Sequence, residues 1–302
     1  MSQITSIFMS AALRRPITIK IIVPTDKCCA YHLYVPEKKP MKTLYFLEGM
    51  LSNETGALSY TRLQPIAEDN NLAVVVINGE NMHYADSDVT LNYYDQMVAN
   101  DVIKFTRDTF NLSDKREDTF IGGFSMGGFG AVNVGLRHPD IFSHILALSP
   151  GMVKPWIMDI LGKEPGTLSN QGFNEENYKA MFGLKSVAEY PGSKDDSDFL
   201  AEKLAKEHPD LLPKIFVSAS SDEDLCEPCI KPWKDFMVKT GYDVTYFEME
   251  KLGHSWPVME YAFIEAMKFL PLDDFRGNFK QFGDDANLSN DLLAHFSVYY
   301  NL

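Results

Sequence analysis

One short stretch near the middle of the chain has the residue types and spacing for covalent catalysis. Residues 123–127 read Gly-Phe-Ser-Met-Gly, which places Ser125 between two glycines. A bare Gly-x-Ser-x-Gly match carries little weight, but here an apolar, strand-like run at 119–122 precedes it and a helix-like run at 130–138 follows. Small neighbours permit the sharp, strained turn that exposes a serine hydroxyl between a strand and a helix. The sequence therefore predicts Ser125 as a nucleophile for a carbonyl carbon.

A serine nucleophile needs a base that takes its proton, and histidine is the usual one. At strand–turn–helix sites of this kind the order along the chain is serine, acid, histidine. Of the seven histidines, only His254 and His295 lie after a plausible acid. His254 follows a strand-like run at 243–248, and Gly253 allows a tight turn before it, so we expect His254 to be the base. His295 is predicted to be an ordinary packed or surface residue.

The acid is expected in the loop that follows the strand-like run at 214–218. Three consecutive carboxylates occupy that loop: Asp222, Glu223 and Asp224. The imidazole requires a buried carboxylate that fixes its tautomer and stabilises its protonated form. Spacing alone does not choose between Asp222 and Asp224; we prefer Asp224, keep Asp222 as the alternative and expect Glu223 to point to solvent.

Acyl transfer also needs backbone N–H groups that point at the negatively charged oxygen of the tetrahedral intermediate. One donor is expected to be the amide of Met126, directly after the nucleophile. The other is expected in the loop after the strand-like run at 43–47. The Met50 amide is our candidate there, with Leu51 as the alternative.

The elements around these residues predict an α/β fold. Short runs that are apolar on both faces alternate with helix-length amphipathic segments, which is typical of a mainly parallel sheet with helices on its faces. We expect a single domain over residues 1–302. An opening hairpin is predicted from the runs 17–23 and 30–35. Residues 151–213 are too long for a plain crossover, and we expect an insertion that covers the ligand-binding edge of the sheet; the alternative is an extra packing layer.

Composition excludes several classes of partner. The 302 residues carry a formal net charge of −14, which disfavours binding to nucleic acid or to an anionic membrane surface. No stretch approaches the roughly 20 apolar residues of a membrane span, and no secretion signal is evident. Together with only four cysteines, this predicts a reducing, cytoplasmic environment.

The chain resembles the esterase D-like family, which includes tributyrin esterases, acetylated-sugar esterases, S-formylglutathione hydrolases and mycolyltransferases. The similarity spans roughly residues 15 to 270 and is most specific around the nucleophile. The segments that carry it are Leu-Tyr-Phe-Leu-Glu-Gly-Met at 44–50, Asn-Tyr-Tyr at 92–94, the run at 116–131, His-Pro-Asp-Ile-Phe at 138–142 and Gly-His at 253–254.

The resemblance implies the α/β-hydrolase fold, an ester or thioester as substrate, and no cofactor. The acid of the family follows a Gly-Thr-Glu-Asp-like turn, which supports Asp224 although the glycine is missing here. Many members carry histidine where this chain has Glu48. The loop at 81–86 borders the substrate pocket in the family, so His83, Tyr84 and Asp86 are candidate substrate contacts; the alternative is a surface loop.

Three other residues need an interpretation. Trp256 could line the pocket or pack in the core, and we include it among the candidate substrate contacts. Cys226 and Cys229 form a Cys-x-x-C pair at a predicted helix start, where a redox or zinc role is conceivable. We interpret them as unpaired packing cysteines and expect no metal.

These observations predict a serine carboxylesterase for short acyl groups, including acetyl groups on sugars, with a small-molecule ester as its partner. The first alternative is a thioesterase of the S-formylglutathione hydrolase type or an acyltransferase. The second is a non-catalytic binding module on the same fold. An exposed apolar face on the covering segment would favour a homodimer.

Overall fold

The structure, a computed structural model, describes residues 2–24 and 39–272. The strands within these residues are β1 (Ser2–Ser10), β2 (Arg15–Val23), β3 (Thr43–Leu47), β4 (Ala73–Ile77), β5 (Asp86–Ser87), β6 (Asn92–Tyr93), β7 (Thr119–Phe124), β8 (His144–Leu148), β9 (Lys214–Ser220) and β10 (Val244–Met249). The helices are α1 (Gly56–Tyr60), α2 (Leu63–Asp69), α3 (Tyr94–Gln96), α4 (Ile103–Thr109), α5 (Met126–Arg137), α6 (Lys154–Ile160), α7 (Glu175–Phe182), α8 (Ser197–Glu207), α9 (Lys231–Lys239) and α10 (Trp256–Phe269). A π-helical turn, Met97–Val102, joins α3 to α4, and a second, Cys226–Ile230, precedes α9.

Eight strands form one sheet in the order β1-β2-β4-β3-β7-β8-β9-β10. The strands from β4 to β10 in this order are parallel, while β1 and β2 form an antiparallel hairpin at one edge. Every residue of β3, β4, β7 and β8 is buried, because helices cover both faces of the sheet. The predicted mixed α/β architecture is confirmed.

Two hydrophobic clusters lie on opposite faces of the sheet. One contains α5, α8 and α9 with the inward residues of α6 and α7, and the other contains α1, α2 and α10. Helix α5 is buried along nearly its whole length because it packs directly on β7 and β8. The sheet therefore holds the start of α5 rigidly at its C-terminal edge.

One half of the predicted opening hairpin, the run 30–35, lies outside the described residues. Strand β2 pairs with β1 over its full length, and its residues Ile19–Ile22 pair with β4 on the other side. Over residues 19–22, β2 is therefore paired on both sides. The pattern of β1 alternates half-buried and exposed residues, as befits an edge strand.

Residues 151–213 carry α6, α7 and α8 and follow β8 directly. An ion pair connects this segment to the rest of the domain, because Arg137 in α5 contacts Asp195 at 2.8 Å. Within the segment, Lys154 contacts Asp196 at 3.0 Å.

Within residues 2–24 and 39–272, no helix has the length and apolar character needed to cross a membrane.

Candidate active site

Ser125 occupies the turn between β7 and α5 in a strained backbone conformation. Its φ and ψ are 58° and −118°, a region that non-glycine residues rarely adopt. A Cβ atom at Gly123 would overlap the Gly127 carbonyl, and one at Gly127 would overlap the Leu47 carbonyl. The two glycines that flank the motif are therefore required by the close approach of strand, turn and helix.

Backbone hydrogen bonds hold this turn on three sides. The Ser125 amide donates to the Leu148 carbonyl at 3.0 Å, and the Ser125 carbonyl accepts from the amides of Phe129 at 3.1 Å and Gly151 at 2.9 Å. Ser125 is thus held by three parts of the chain: the end of β8, the first turn of α5 and the start of segment 151–213. A rigid nucleophile costs little reorganisation during reaction.

His254 faces a buried carboxylate, and that carboxylate belongs to Glu223. His254 Nδ1 lies 2.7 Å from Glu223 Oε2. The Glu223 side chain is fully buried, whereas the His254 side chain is about one third exposed. When Nδ1–H donates to the carboxylate, the lone pair of Nε2 is free to accept a proton. The pair therefore has the acid–base arrangement of a catalytic triad.

The prediction of Asp224 as this carboxylate is wrong, and so is the expectation that Glu223 points to solvent. Strand β9 continues two residues beyond the predicted end, to Ser220. The Ser220 amide donates to Glu223 Oε1 at 2.9 Å, and the Glu223 amide donates to the Ser220 carbonyl at 3.2 Å. This tight turn folds Glu223 inward and leaves Asp224 exposed.

The alternative acid, Asp222, has a different task. Its Oδ1 accepts from the Ser220 hydroxyl and from the Gly253 amide, the latter at 2.9 Å. These two hydrogen bonds lower the pKa of the Asp222 carboxyl. Asp222 thereby connects the loop after β9 to the loop that carries His254, without contact to the imidazole in the described structure.

A row of stacked aromatic rings packs His254 against the residue that precedes Ser125. The imidazole stacks on Phe124, the residue before Ser125, with ring centroids 4.7 Å apart and an interplanar angle of 18°. Phe124 also stacks on Trp256 at 6.1 Å, and Trp256 stacks on the exposed Tyr60 at 4.9 Å. The orientation of the imidazole is thus set by Phe124 as well as by Glu223.

The loop after β3 lies against the nucleophile, as the expected position of an oxyanion donor requires. A Cβ atom built on Gly49 would lie 3.5 Å from Ser125 Cβ and 3.2 Å from the Phe124 carbonyl oxygen. The amide of Leu51 donates to Asn81 Oδ1 at 2.9 Å. Because that bond engages the alternative donor, Met50 is left as the better candidate in this loop.

Two predicted substrate contacts are instead part of the protein interior. His83 is 1% exposed and makes edge contacts with Phe129, Phe173 and Phe182. Burial lowers its pKa to about 4, so the ring is neutral. Tyr84 is also fully buried. The predictions that His83 and Tyr84 contact substrate are therefore wrong, because neither is accessible.

Tyr84 has a structural role beside the site. Its hydroxyl lies 2.9 Å from the Glu48 carbonyl oxygen and 3.0 Å from the Ile77 carbonyl oxygen. One phenolic proton serves both acceptors, so Tyr84 joins the end of β3 to the end of β4. The half-buried Trp256 and Asp86 are the predicted substrate contacts that the described structure leaves accessible.

Cys226 and Cys229 are buried free thiols at the start of the π-helical turn before α9. Burial raises the pKa of both, that of Cys229 to about 12, which disfavours the reactive thiolate. Cys28 and Cys29 lie outside the described residues. Within the part of the chain that the structure describes, no group of three or more potential metal ligands occurs.

Comparison with known proteins decides the family. Residues 10–255 match the model of the family described as "Putative esterase". The chain belongs to this family. It is 34% identical over 250 residues to an acetyl esterase of Caldicellulosiruptor saccharolyticus, which covers 82% of this chain and 90% of that protein. It is 25% identical over 252 residues to the S-formylglutathione hydrolase of Bos taurus, covering 72% and 82%.

Solved structures agree on the fold. The S-formylglutathione hydrolase FrmB of Staphylococcus aureus superposes with a TM-score of 0.72 at 23% identity, covering 89% of this chain and 98% of that one. A ferulic acid esterase superposes with a TM-score of 0.66 at 18% identity, covering 89% and 97%. The esterase has the α/β-hydrolase fold that the sequence predicts, and it is a hydrolase of carboxylic esters.

Proposed function

We propose that the esterase hydrolyses esters of short acyl groups through an acyl-enzyme on Ser125, with His254 as general base and Glu223 as the acid that orients it. The observation that carries this proposal is the buried Glu223–His254 pair, stacked on the residue that precedes a strained serine. Ser125, Glu223 and His254 lie in the loops after β7, β9 and β10, and the carboxyl ends of these parallel strands share one edge of the sheet.

In the first step, Ser125 Oγ attacks the ester carbonyl carbon and its proton passes to Nε2 of His254. The carbonyl π electrons move to the oxygen, which the Met126 and Met50 amides stabilise in our proposal. Glu223 stabilises the imidazolium that results. The tetrahedral intermediate then collapses, the bond to the alcohol oxygen breaks, and the imidazolium returns its proton to the leaving alcohol.

In the second step, water takes the place of the alcohol. His254 accepts a proton from water as the water oxygen attacks the acyl carbon, and the same amides stabilise the second oxyanion. Collapse breaks the bond to Ser125 Oγ, which regains its proton from the imidazolium. The products are the free acid and the original enzyme, so no cofactor is required.

The proposal of short acyl groups, including acetyl groups on sugars, rests on two supports. The relative at 34% identity is an acetyl esterase. In addition, segment 151–213 begins directly against Ser125, where the Gly151 amide donates to the Ser125 carbonyl, and Met152 and Trp156 near its start are buried. We propose that this segment covers the site and limits the acyl pocket. A homodimer and a cytoplasmic location stay predictions.

A thioester is the second candidate substrate class. The 25% identity to an S-formylglutathione hydrolase favours it, and the same steps apply with a thiol as leaving group. A thiolate leaves without much help from the imidazolium, because its conjugate acid is far stronger than an alcohol. Parallel assays with acetate esters of an alcohol and of a thiol separate the two classes.

The first test is the release of p-nitrophenol from p-nitrophenyl acetate, butyrate and octanoate by wild type and by Ser125→Ala. We expect activity that declines with chain length and a loss of at least about a thousandfold in the variant, as is typical when a triad nucleophile is removed. Equal, slow release by both proteins would contradict the proposal. A preference for octanoate would contradict the small acyl pocket.

A further inference from the structure

Glu48 is a buried carboxylate at the edge of the candidate site, outside the triad. It is the first residue after β3 and is fully buried. It directly precedes Gly49, whose backbone lies against Ser125, and Met50, the candidate oxyanion donor. The residues from 48 to 55, between β3 and α1, are called here the β3–α1 loop.

The side chain of Glu48 bridges this loop. Its Oε1 accepts from the Ala57 amide at 2.7 Å, and its Oε2 accepts from the Ser52 hydroxyl at 3.0 Å. The carboxylate therefore joins the beginning of the loop to its middle and to the first turn of α1. Two hydrogen bonds from different parts of the chain to one side chain restrain this loop.

The backbone of Glu48 is fixed independently of its side chain. Its amide donates to the Ile77 carbonyl at 3.1 Å, and its carbonyl accepts from the Tyr84 hydroxyl at 2.9 Å. One end of the β3–α1 loop is thus held by the sheet. The outer part is held by the Glu48 carboxylate, with a second anchor from Leu51 to Asn81.

The arrangement has an electrostatic cost. Burial raises the pKa of Glu48 to about 7, against the opposing effect of the hydrogen bonds from Ala57 and Ser52. The charged and titratable groups that face it are Glu54 on the same loop, which raises the pKa further, and the Tyr84 hydroxyl beneath its carbonyl. If the Glu48 carboxylate had no function, the protein would be more stable with a neutral residue at this position.

We propose that Glu48 is a positioning residue of the ester hydrolysis, because its carboxylate holds the β3–α1 loop so that the Met50 amide points at the oxyanion. This inference rests on the proposed function. Donors stabilise a transition state most when they are held in place beforehand, so a loosened loop lowers kcat and changes KM little. Glu48 acts through the loop and does not touch substrate.

The test compares Glu48→Ala with Glu48→Gln, which keeps an acceptor for the Ala57 amide. With p-nitrophenyl acetate we expect kcat to fall at least about tenfold in Glu48→Ala, since outright removal of an oxyanion donor costs about a hundredfold or more. KM should stay within about threefold. Glu48→Gln should restore kcat to within about threefold of wild type, and Ser52→Ala, which removes one hydrogen bond, should lie between the two.

Glu54→Gln is the matched control, because it neutralises a carboxylate of the same loop that lies outside the bridge; its kcat should equal that of wild type. A second readout is the rate at which a fluorophosphonate modifies Ser125, because the phosphonyl oxygen occupies the same donors. That rate should fall at least about tenfold in Glu48→Ala and recover in Glu48→Gln.

The two proposals fail in different ways. If wild type and Ser125→Ala hydrolyse esters equally, the proposed function fails, and the fluorophosphonate rates still decide the role of Glu48. If wild type is active and Glu48→Ala keeps its kcat and its labelling rate, the positioning role is overturned. A rise in KM without a change in kcat would also overturn it. If Glu48→Ala does not fold, the kcat of Ser52→Ala is compared with that of Glu54→Gln. A lower kcat in Ser52→Ala supports the positioning role, and equal values overturn it.

Discussion

Two glutamates lie near Ser125 in loops at the same edge of the sheet, and both are buried. Glu223 follows β9 and contacts the imidazole of His254 at 2.7 Å. Glu48 follows β3 and contacts a backbone amide and a hydroxyl. One carboxylate thus hydrogen-bonds to a group that can become a cation, and the other accepts hydrogen bonds only from neutral groups.

This difference in partners separates the two tasks. When His254 takes a proton, the charge of Glu223 is neutralised by a nearby cation, so the pair stabilises a charge that develops during reaction. The partners of Glu48 cannot become charged, and its burial is compensated only in part, which is why its pKa rises to about 7. Its hydrogen bonds are present throughout the reaction and, in our proposal, hold the β3–α1 loop in place.

The largest effect is expected at Glu223. We expect Glu223→Gln to lower kcat by roughly 10⁴-fold, because an amide cannot stabilise the imidazolium and favours the wrong tautomer. Steady-state hydrolysis of p-nitrophenyl acetate measures this loss. Asp224→Asn is the control and should keep activity within about twofold. Full activity in Glu223→Gln, or inactivity in Asp224→Asn, would indicate that Asp224 is the acid of the triad. The contrast between Glu223 and Glu48 would then no longer hold.

The next effect is the dependence of stability on pH at Glu48. Because the folded pKa of about 7 exceeds the value of about 4.3 expected for an unfolded glutamate, the folded protein binds more protons between these values. The contribution of Glu48 is therefore complete below about pH 4 and is lost as the pH rises through 7. The loss is on the order of 3 kcal/mol.

Chemical denaturation of wild type and Glu48→Gln from pH 4.5 to 8 measures this contribution. The difference in unfolding free energy between the two should shift in favour of the variant as the pH rises, since glutamine does not ionise. Glu54→Gln controls for loss of a loop carboxylate. A difference that is constant over this range would show that Glu48 is not held in a costly environment.

The smallest expected effect tests how the Glu48 backbone is held. Tyr84→Phe removes the hydroxyl between the Glu48 and Ile77 carbonyls, and we expect the unfolding free energy to fall by about 1–2 kcal/mol, because the Glu48 carbonyl loses this donor while the Ile77 carbonyl keeps only the Glu48 amide. Tyr93→Phe removes a hydroxyl that contacts the exposed Asp88 and should cost less than about 0.5 kcal/mol. Equal values for both variants would argue against the link from Tyr84 to the β3–α1 loop.

The nucleophile turn and most of the sheet could be predicted from the sequence. The runs at 43–47, 73–77 and 144–148 coincide with β3, β4 and β8, because a strand buried on both faces must be apolar throughout. The turn at Ser125 was predictable because only glycine fits at two positions beside a strained residue, and those glycines are visible in the sequence.

The choice among three adjacent carboxylates was decided only by the tertiary structure. Asp222, Glu223 and Asp224 differ little in residue type, and their spacing from β9 differs by one position each. Which of them meets His254 depends on where β9 ends and on a turn closed by Ser220. Both depend on pairing between β9 and its neighbours, which the loop sequence does not encode.

The same reason applies to the loop around His83 and Tyr84. Their residue types suit a binding site, but the loop folds beneath α5, where His83 meets three phenylalanines and Tyr84 bridges two strands. The sequence by itself determined the fold, the turn that carries Ser125 and the loop position of His254, because these follow from hydrophobic periodicity and from the glycines that a sharp turn requires. Which carboxylate contacts His254, and which groups surround Glu48, were decided by burial, and burial is a property of the whole packed chain.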